Sequence, residues 1–195
     1  MQQQEMIIAY FFETSRLIGK LQALAPELER AANLWTNALS AGNKVIFCGN
    51  GGSAADAQHL SAELMGRFLI DRDPLPALSL TVDTSALTAI GNDYGYDRVF
   101  SRQLRGIARP GDVLVGLSTS GNSANVIDAF ATARGLGVQT IGMTGENGGR
   151  MAGLCDLLIA VPHHKTNHIQ EAHIAIGHLI LSLIHISEPT RLRRI

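Results

Sequence analysis

His59 and Glu63 stand four residues apart in a segment, Ala54 to Arg67, that reads as a helix. At 100° per residue their side chains lie about 40° apart around the axis, on one face. An imidazole and a carboxylate so placed can pass protons or offer two ligands to a metal ion. The same spacing also makes an ordinary surface ion pair, and on spacing alone that is the default reading. Five of the seven histidines, His163, His164, His168, His173 and His178, fall in one late stretch. On a helix starting near Asn167, Gln170 lies about 80° from His178, Glu171 about 20° and His173 about 140°. Bare spacing therefore prefers Glu171 over Gln170 as the partner of His178, and makes His173 a core or interface residue.

Two loops carry a second kind of chemistry. Asn50-Gly51-Gly52-Ser53 follows one apolar run and opens a helix; Ser118-Thr119-Ser120-Gly121-Asn122-Ser123 follows another and does the same. Backbone N–H groups at a helix N-terminus attract anions, and serine and threonine hydroxyls add donors without bulk or charge. Such loops suit a phosphate monoester. Plain helix caps would use the same residue types. What weighs against that reading is the number of hydroxyls in one loop and the second polar loop beside it. No GxxxxGK[ST] motif is present, and GNGGS lacks the third glycine of GxGxxG, so neither nucleotide fingerprint applies.

The elements that must position these groups alternate along the chain. Helix occupies the first ~40 residues, interrupted at Pro26, with a second helix from about Glu27 to Leu39. Strands are predicted at Lys44–Cys48, Ala77–Thr81, Asp112–Leu117, Val138–Met143 and Leu157–Val161. Helices are predicted at Ala54–Arg67, Ser85–Ile90, Ala124–Arg134 and from Asn167 onward. Short apolar strands separated by helices predict an α/β fold, a five-stranded parallel sheet covered on both faces. Ligands then bind at the carboxyl ends of the strands, where both polar loops fall.

With 195 residues and a net charge of −1, the chain fits one domain and does not suit a polybasic nucleic-acid binder. No apolar run reaches the ~18 residues of a membrane span, and the N-terminus has no signal-peptide pattern. Cys48 and Cys155 are too few for a disulfide framework and read as reduced thiols. A cytoplasmic protein with neither nucleic acid nor membrane as partner is expected.

The segments GNGGSAADAQHLSAELMGRF, AIGNDYGYDRVFSRQL, GDVLVGLSTSGNSANVIDA, TGENGGRMAG and HIQEAHIAIGH together resemble the SIS (sugar isomerase) family, and within it the phosphoheptose isomerases. The resemblance covers about residues 21–180. It implies a SIS-type three-layer sandwich with N-terminal helices used for oligomerisation, and a homotetramer with active sites shared between subunits. It further implies conversion of sedoheptulose 7-phosphate to D-glycero-D-manno-heptose 7-phosphate through an enediolate, the first step of nucleotide-activated heptose biosynthesis. Carried over by motif, Glu63 would be the base and His178 the opposing acid/base. Zinc would be held by His59, Glu63, Gln170 and His178. The phosphate would rest on Ser118, Thr119, Ser120 and Ser123, and Asn50, Gly51, Gly52, Asn92 and Asp93 would contact the sugar, with Glu63 and Gln170 also touching substrate.

Two departures from the family pattern stand out. Asn167-His168 occupies the place where some members carry Asp or Arg, which bears on substrate positioning. From about Leu181 the sequence resembles a translated sequencing adapter, so the expected domain is residues 1–180 and residues 181–195 a non-native tail. Even so, Leu181, Leu183, Ile184 and Ile186 keep a helical apolar pattern, and the run from Glu188 through Pro189 to Ile195 is expected to be exposed. A different class of reading is a non-catalytic SIS protein that binds the bacterial replication initiator protein. Retention of both Glu63 and His178 favours the enzyme.

Overall fold

The computed structural model describes residues 2–187. Two helices lead the chain, α1 (Gln3–Lys20) and α2 (Ala25–Ser40), joined by a 3₁₀ turn at Leu21–Leu24. Pro26 falls in the first turn of α2, where its missing N–H breaks no helical bond. Then follow β1 (Val45–Gly49), α3 (Gly52–Met65), β2 (Ala77–Ser79), α4 (Thr84–Tyr94), α5 (Val99–Ile107), β3 (Val113–Leu117) and α6 (Ala124–Gly135). The last elements are β4 (Gln139–Gly145), β5 (Leu157–Val161) and α7 (Thr166–Ser187). All four strand pairings are parallel, in the order β2-β1-β3-β4-β5. The five expected strands are all present.

The side-chain alternation of β1 shows how the layers form. Val45 and Phe47 face one core with Trp35, Leu60, Val113, Val115, Ile141, Ile159 and Ile176; Ile46 and Cys48 face the other with Phe100, Leu104, Leu114, Val126 and Phe130. The first core is covered by α2, α3 and α7, the second by α5 and α6, giving a three-layer sandwich. Burial on both faces pushes the Cys48 thiol up to about 12, so it stays protonated, while the half-buried Cys155 thiol is also raised by burial. Neither forms a disulfide.

Helix α5 was absent from the sequence expectation. Its apolar residues Val99, Phe100 and Leu104 are buried at helical spacing, while Arg98, Arg102 and Arg105 mark the other side. The guanidinium of Arg102 lies over the Tyr94 ring, 3.7 Å from its centre. Helix α7 passes the expected boundary at residue 180 without a break, and Leu181 and Ile184 are buried in the first core. The expectation for Glu188 to Ile195 lies outside the described residues.

Candidate active site

In a parallel sheet of order 2-1-3-4-5, the crossover connections leave the sheet in opposite directions between β1 and β3. The loops after these two strands part there and leave a cleft of about 310 Å³. It is lined by residues 50–53 from one loop, by Leu117, Ser118, Thr119, Ser120 and Ser123 from the other, and by Thr166 and Gln170 from α7. Neither of the two helices that follow these loops is capped by its own side chain. Gly51 is the N-cap of α3, at φ +56, and has no side chain to offer. Ser123 is the N-cap of α6 but makes no side-chain cap bond; its hydroxyl lies 2.8 Å from that of Ser118. Two positive helix ends and a hydroxyl cluster therefore face one small polar hollow, as an anion site requires.

The floor of the cleft depends on close approach. A Cβ on Gly52 would stand 2.7 Å from Gln170 Nε2, so the bare backbone there leaves room for that amide against the start of α3. Further along, a Cβ on Gly177 would stand 2.4 Å from Leu60 Cδ2. Residue 52 thus meets 170 and residue 60 meets 177, which means that α3 and α7 run side by side in the same direction. This parallel pairing brings His178 to His59, with Nε2 to Nε2 at 2.9 Å. Glu63 Oε1 lies 3.5 Å from His59 Nε2 on the same helix face. His59 and His178 stand seven to eight residues of helix from the anion cradle, about 10–12 Å, and Glu63 one further turn along α3, about 16 Å from Gly52.

The SIS domain profile matches residues 9–145. The phosphoheptose isomerase of Akkermansia muciniphila is 58% identical over 164 residues, which span 84% of this chain and 87% of that protein. The solved structure of phosphoheptose isomerase from Neisseria gonorrhoeae superposes with a TM-score of 0.90 at 46% identity, over 95% of this chain and 100% of that one. A phosphoheptose isomerase from Francisella tularensis gives 0.91 at 34% identity, over 94% and 98%. This chain belongs to the phosphoheptose isomerase family.

The residues expected of a phosphoheptose isomerase do not all meet in the single chain. Gly51, Gly52, Ser118, Thr119, Ser120, Ser123 and Gln170 line the cleft; His59, Glu63 and His178 cluster together. Asn50 lines the cleft, but its side-chain amide exchanges two 2.9 Å hydrogen bonds with Asn125 and accepts a third at 3.3 Å from the Tyr96 hydroxyl. It braces the two loops against each other. Asn92 and Asp93 are exposed at the end of α4, hydrogen-bonded to one another at 2.9 Å, and do not line the cleft. Helix α4 buries none of its residues, which leaves these two on the surface.

The spacing preference for Glu171 beside His178 is overturned. Glu171 accepts hydrogen bonds from the Tyr10 and Thr14 hydroxyls and lies 3.1 Å from His168 Nδ1. Burial would raise its carboxyl, but these partners outweigh it and hold the group below the ordinary carboxylate range. Helix α1 supplies Tyr10 and Thr14, and no periodicity within α7 could reveal them. His173 is buried as expected, 3.2 Å from the Thr144 carbonyl.

Sequence reasoning missed Asn125, whose signal was a buried amide within an otherwise apolar helix face. It also missed Asp56, one turn before His59. Burial pushes the Asp56 carboxyl up, the charge of His59 opposes this, and its Oδ2 has no hydrogen-bond partner.

For metal, the donor types fit: two imidazole nitrogens and a carboxylate converge, all zinc ligands by preference. Among the described residues no group of three or more His, Cys, Asp or Glu side chains is arranged to hold a metal ion. The imidazoles sit instead at hydrogen-bond distance from each other.

Proposed function

We propose that this chain is an isomerase that converts sedoheptulose 7-phosphate to D-glycero-D-manno-heptose 7-phosphate, supplying the first intermediate of nucleotide-activated heptose synthesis. The observation that carries the reading is the arrangement along the parallel helices α3 and α7. An uncapped anion cradle stands at their N-terminal end and an acid/base cluster two turns on. A seven-carbon chain with phosphate at C7 and reacting carbons at C1 and C2 needs those functions well apart, and about 10–16 Å of helix separates the cradle from His59, His178 and Glu63.

In the reaction, Ser118, Thr119, Ser120, Ser123 and the N–H groups of two helix ends hold the phosphate. Glu63 takes the proton from the carbon beside the carbonyl and returns it to the neighbouring carbon. His178, poised by His59, gives and takes the proton on oxygen as the enediolate forms and collapses. Each proton removed is replaced, so the substrate is neither oxidised nor reduced overall. Zinc, held by His59, Glu63 and His178, would supply a Lewis acid that polarises the carbonyl; Gln170, expected as a fourth ligand, lies eight residues of helix away against Gly52 in this chain.

The enzyme works in the cytoplasm as a homotetramer. Support for association comes from α1, where Met6, Ile7, Ile8, Phe11 and Phe12 are all more than half exposed. An apolar groove of about 670 Å³ also runs between the first two helices and α7, lined by Ile18, Leu21, Leu28, Ile176, Leu179 and Leu183. Sharing of sites between subunits would give Asn92 and Asp93 a substrate to touch. No helix among the described residues is long and apolar enough to cross a membrane.

Incubation with sedoheptulose 7-phosphate, with the aldose product followed by NMR, tests the activity. Absence of product with or without added zinc would refute it. Light scattering on the eluted protein tests the tetramer.

A further inference from the structure

The segment between α3 and β2, residues 66–76, returns on the acid/base cluster. The Phe68 ring lies over the His178 imidazole with ring centres 5.5 Å apart and planes 17° from parallel. Phe68 also packs against the first core, so its ring is held from behind. The chain reverses immediately after it. Leu69 sits at φ +60, and the Ile70 N–H donates to the Phe68 carbonyl at 2.7 Å, which makes a γ-turn centred on Leu69. A leucine adopts this left-handed conformation only under constraint. Leu69 gains nothing by burial, since its side chain is 77% exposed. The turn begins at the residue whose ring faces His178.

The same segment is fastened to the helix that carries His59 and Glu63. Arg72 donates through Nη2 to the Glu63 carbonyl and through Nη1 to the carbonyls of Leu64 and Asp73, each at 2.9 Å. The Leu75 N–H donates to the Leu64 carbonyl at 2.9 Å. The bonds to Glu63 and Leu64 occupy carbonyls that the end of α3 would otherwise leave open. Turn, anchor and ring form one clamp from the end of α3 to His178.

We propose that Phe68 is a positioning residue for the isomerisation: the Leu69 turn and the Arg72 anchor hold its ring flat over His178, and that fixes the plane of the imidazole so that Nε2 stays directed at the His59 side. The proposal rests on the acid/base role given to His178 above. Rotation about the second side-chain torsion of histidine is soft, with broad wells rather than three sharp ones. A flat wall parallel to the ring removes most of that freedom while leaving both nitrogens, which lie in the ring plane, open to hydrogen bonds. Phe68 thus acts on the orientation of the proton carrier and leaves substrate affinity to the phosphate cradle.

The test is steady-state isomerisation of sedoheptulose 7-phosphate by the full chain, with melting temperature measured on each variant. Phe68→Leu keeps an apolar side chain but loses the flat face; kcat should fall roughly 10–100-fold, the scale of a misplaced catalytic group, with KM within about twofold. Phe68→Tyr keeps the face and should restore most of kcat. Arg72→Ala loosens the same clamp from its other end and should lower kcat in the same direction. The double variant Phe68→Leu/Arg72→Ala should be little worse than the poorer single one, because both act through one clamp. If Phe68→Leu unfolds the protein, the comparison of Arg72→Ala with Phe68→Tyr decides, and an unchanged kcat in Arg72→Ala overturns the proposal. It is equally overturned if Phe68→Leu keeps kcat within twofold, or raises KM alone, which would make Phe68 a substrate contact. Failure of the underlying reading shows separately, as near-normal kcat in His178→Gln.

Discussion

The Nε2 atoms of His59 and His178 lie 2.9 Å apart across the parallel helices α3 and α7. At that separation one nitrogen donates and the other accepts, so a single hydrogen sits between them. Each ring then sets the tautomer of the other, and Glu63 stands 3.5 Å from the same His59 nitrogen. Replacing Glu63 by Gln or His178 by Gln keeps size and polarity but removes the titratable group to which proton transfer is assigned. Each variant should lose about 10²–10⁴-fold in kcat and keep a wild-type circular dichroism spectrum. Near-normal turnover in either would remove that residue from the chemistry.

Thr119 and Ser120 line the cradle, and any contact they make to a substrate phosphate, remote from the reacting carbons, would be the same in substrate and transition state. Thr119→Ala and Ser120→Ala should therefore raise KM more than they lower kcat. Initial-rate kinetics over a wide substrate range would separate the two parameters, and a collapse of kcat at constant KM would contradict an anchoring role.

Gly177 governs the approach of the two helices. Alanine there gains up to about 1 kcal/mol of helix propensity. Its Cβ would, however, stand 2.4 Å from Cδ2 and 2.9 Å from Cδ1 of the fully buried Leu60. Overpacking of this kind costs about 1–3 kcal/mol and should win. Gly177→Ala is expected to melt lower and, by parting His59 from His178, to turn over more slowly. A variant as stable and as active as wild type would show that the helices can move apart without consequence.

His173 links stability to pH. Burial lowers its pKa from 6.5 to about 4, against the opposing pull of the hydrogen bond to the Thr144 carbonyl. Between pH 4 and 6.5 the unfolded chain binds the proton that the folded chain refuses, so stability rises with pH across this window. The contribution is complete above about pH 6.5 and is lost as pH falls toward 4, an effect on the order of 3 kcal/mol. His173→Gln retains a donor for Thr144 but cannot titrate. Chemical denaturation at a series of pH values should give a shallower slope for the variant between pH 4 and 6.5, and equal slopes would mean that other groups control acid stability.

Much of this architecture was legible in the chain itself. The five apolar runs became the five strands because a strand buried on both faces must be apolar throughout. The two polar loops fell at the carboxyl edge because alternation of strand and helix leaves them nowhere else. His59 and Glu63 shared a face because four residues of helix fix that angle locally. Helix α5 escaped notice although Val99, Phe100 and Leu104 keep helical spacing, since nine residues between two loops give a short signal.

What lies opposite a side chain was decided by tertiary packing alone. Spacing put Glu171 beside His178, but Tyr10 and Thr14, more than 150 residues earlier in the sequence, took Glu171 and left Gln170 against Gly52. His178 found His59 because Gly177 lets α7 lie close beside Leu60 of α3. Asn50 met Asn125 because β1 and β3 are neighbours in the sheet. Helical periodicity gives a direction around one axis; the partner waiting in that direction belongs to another element, and only the packed fold brings it there.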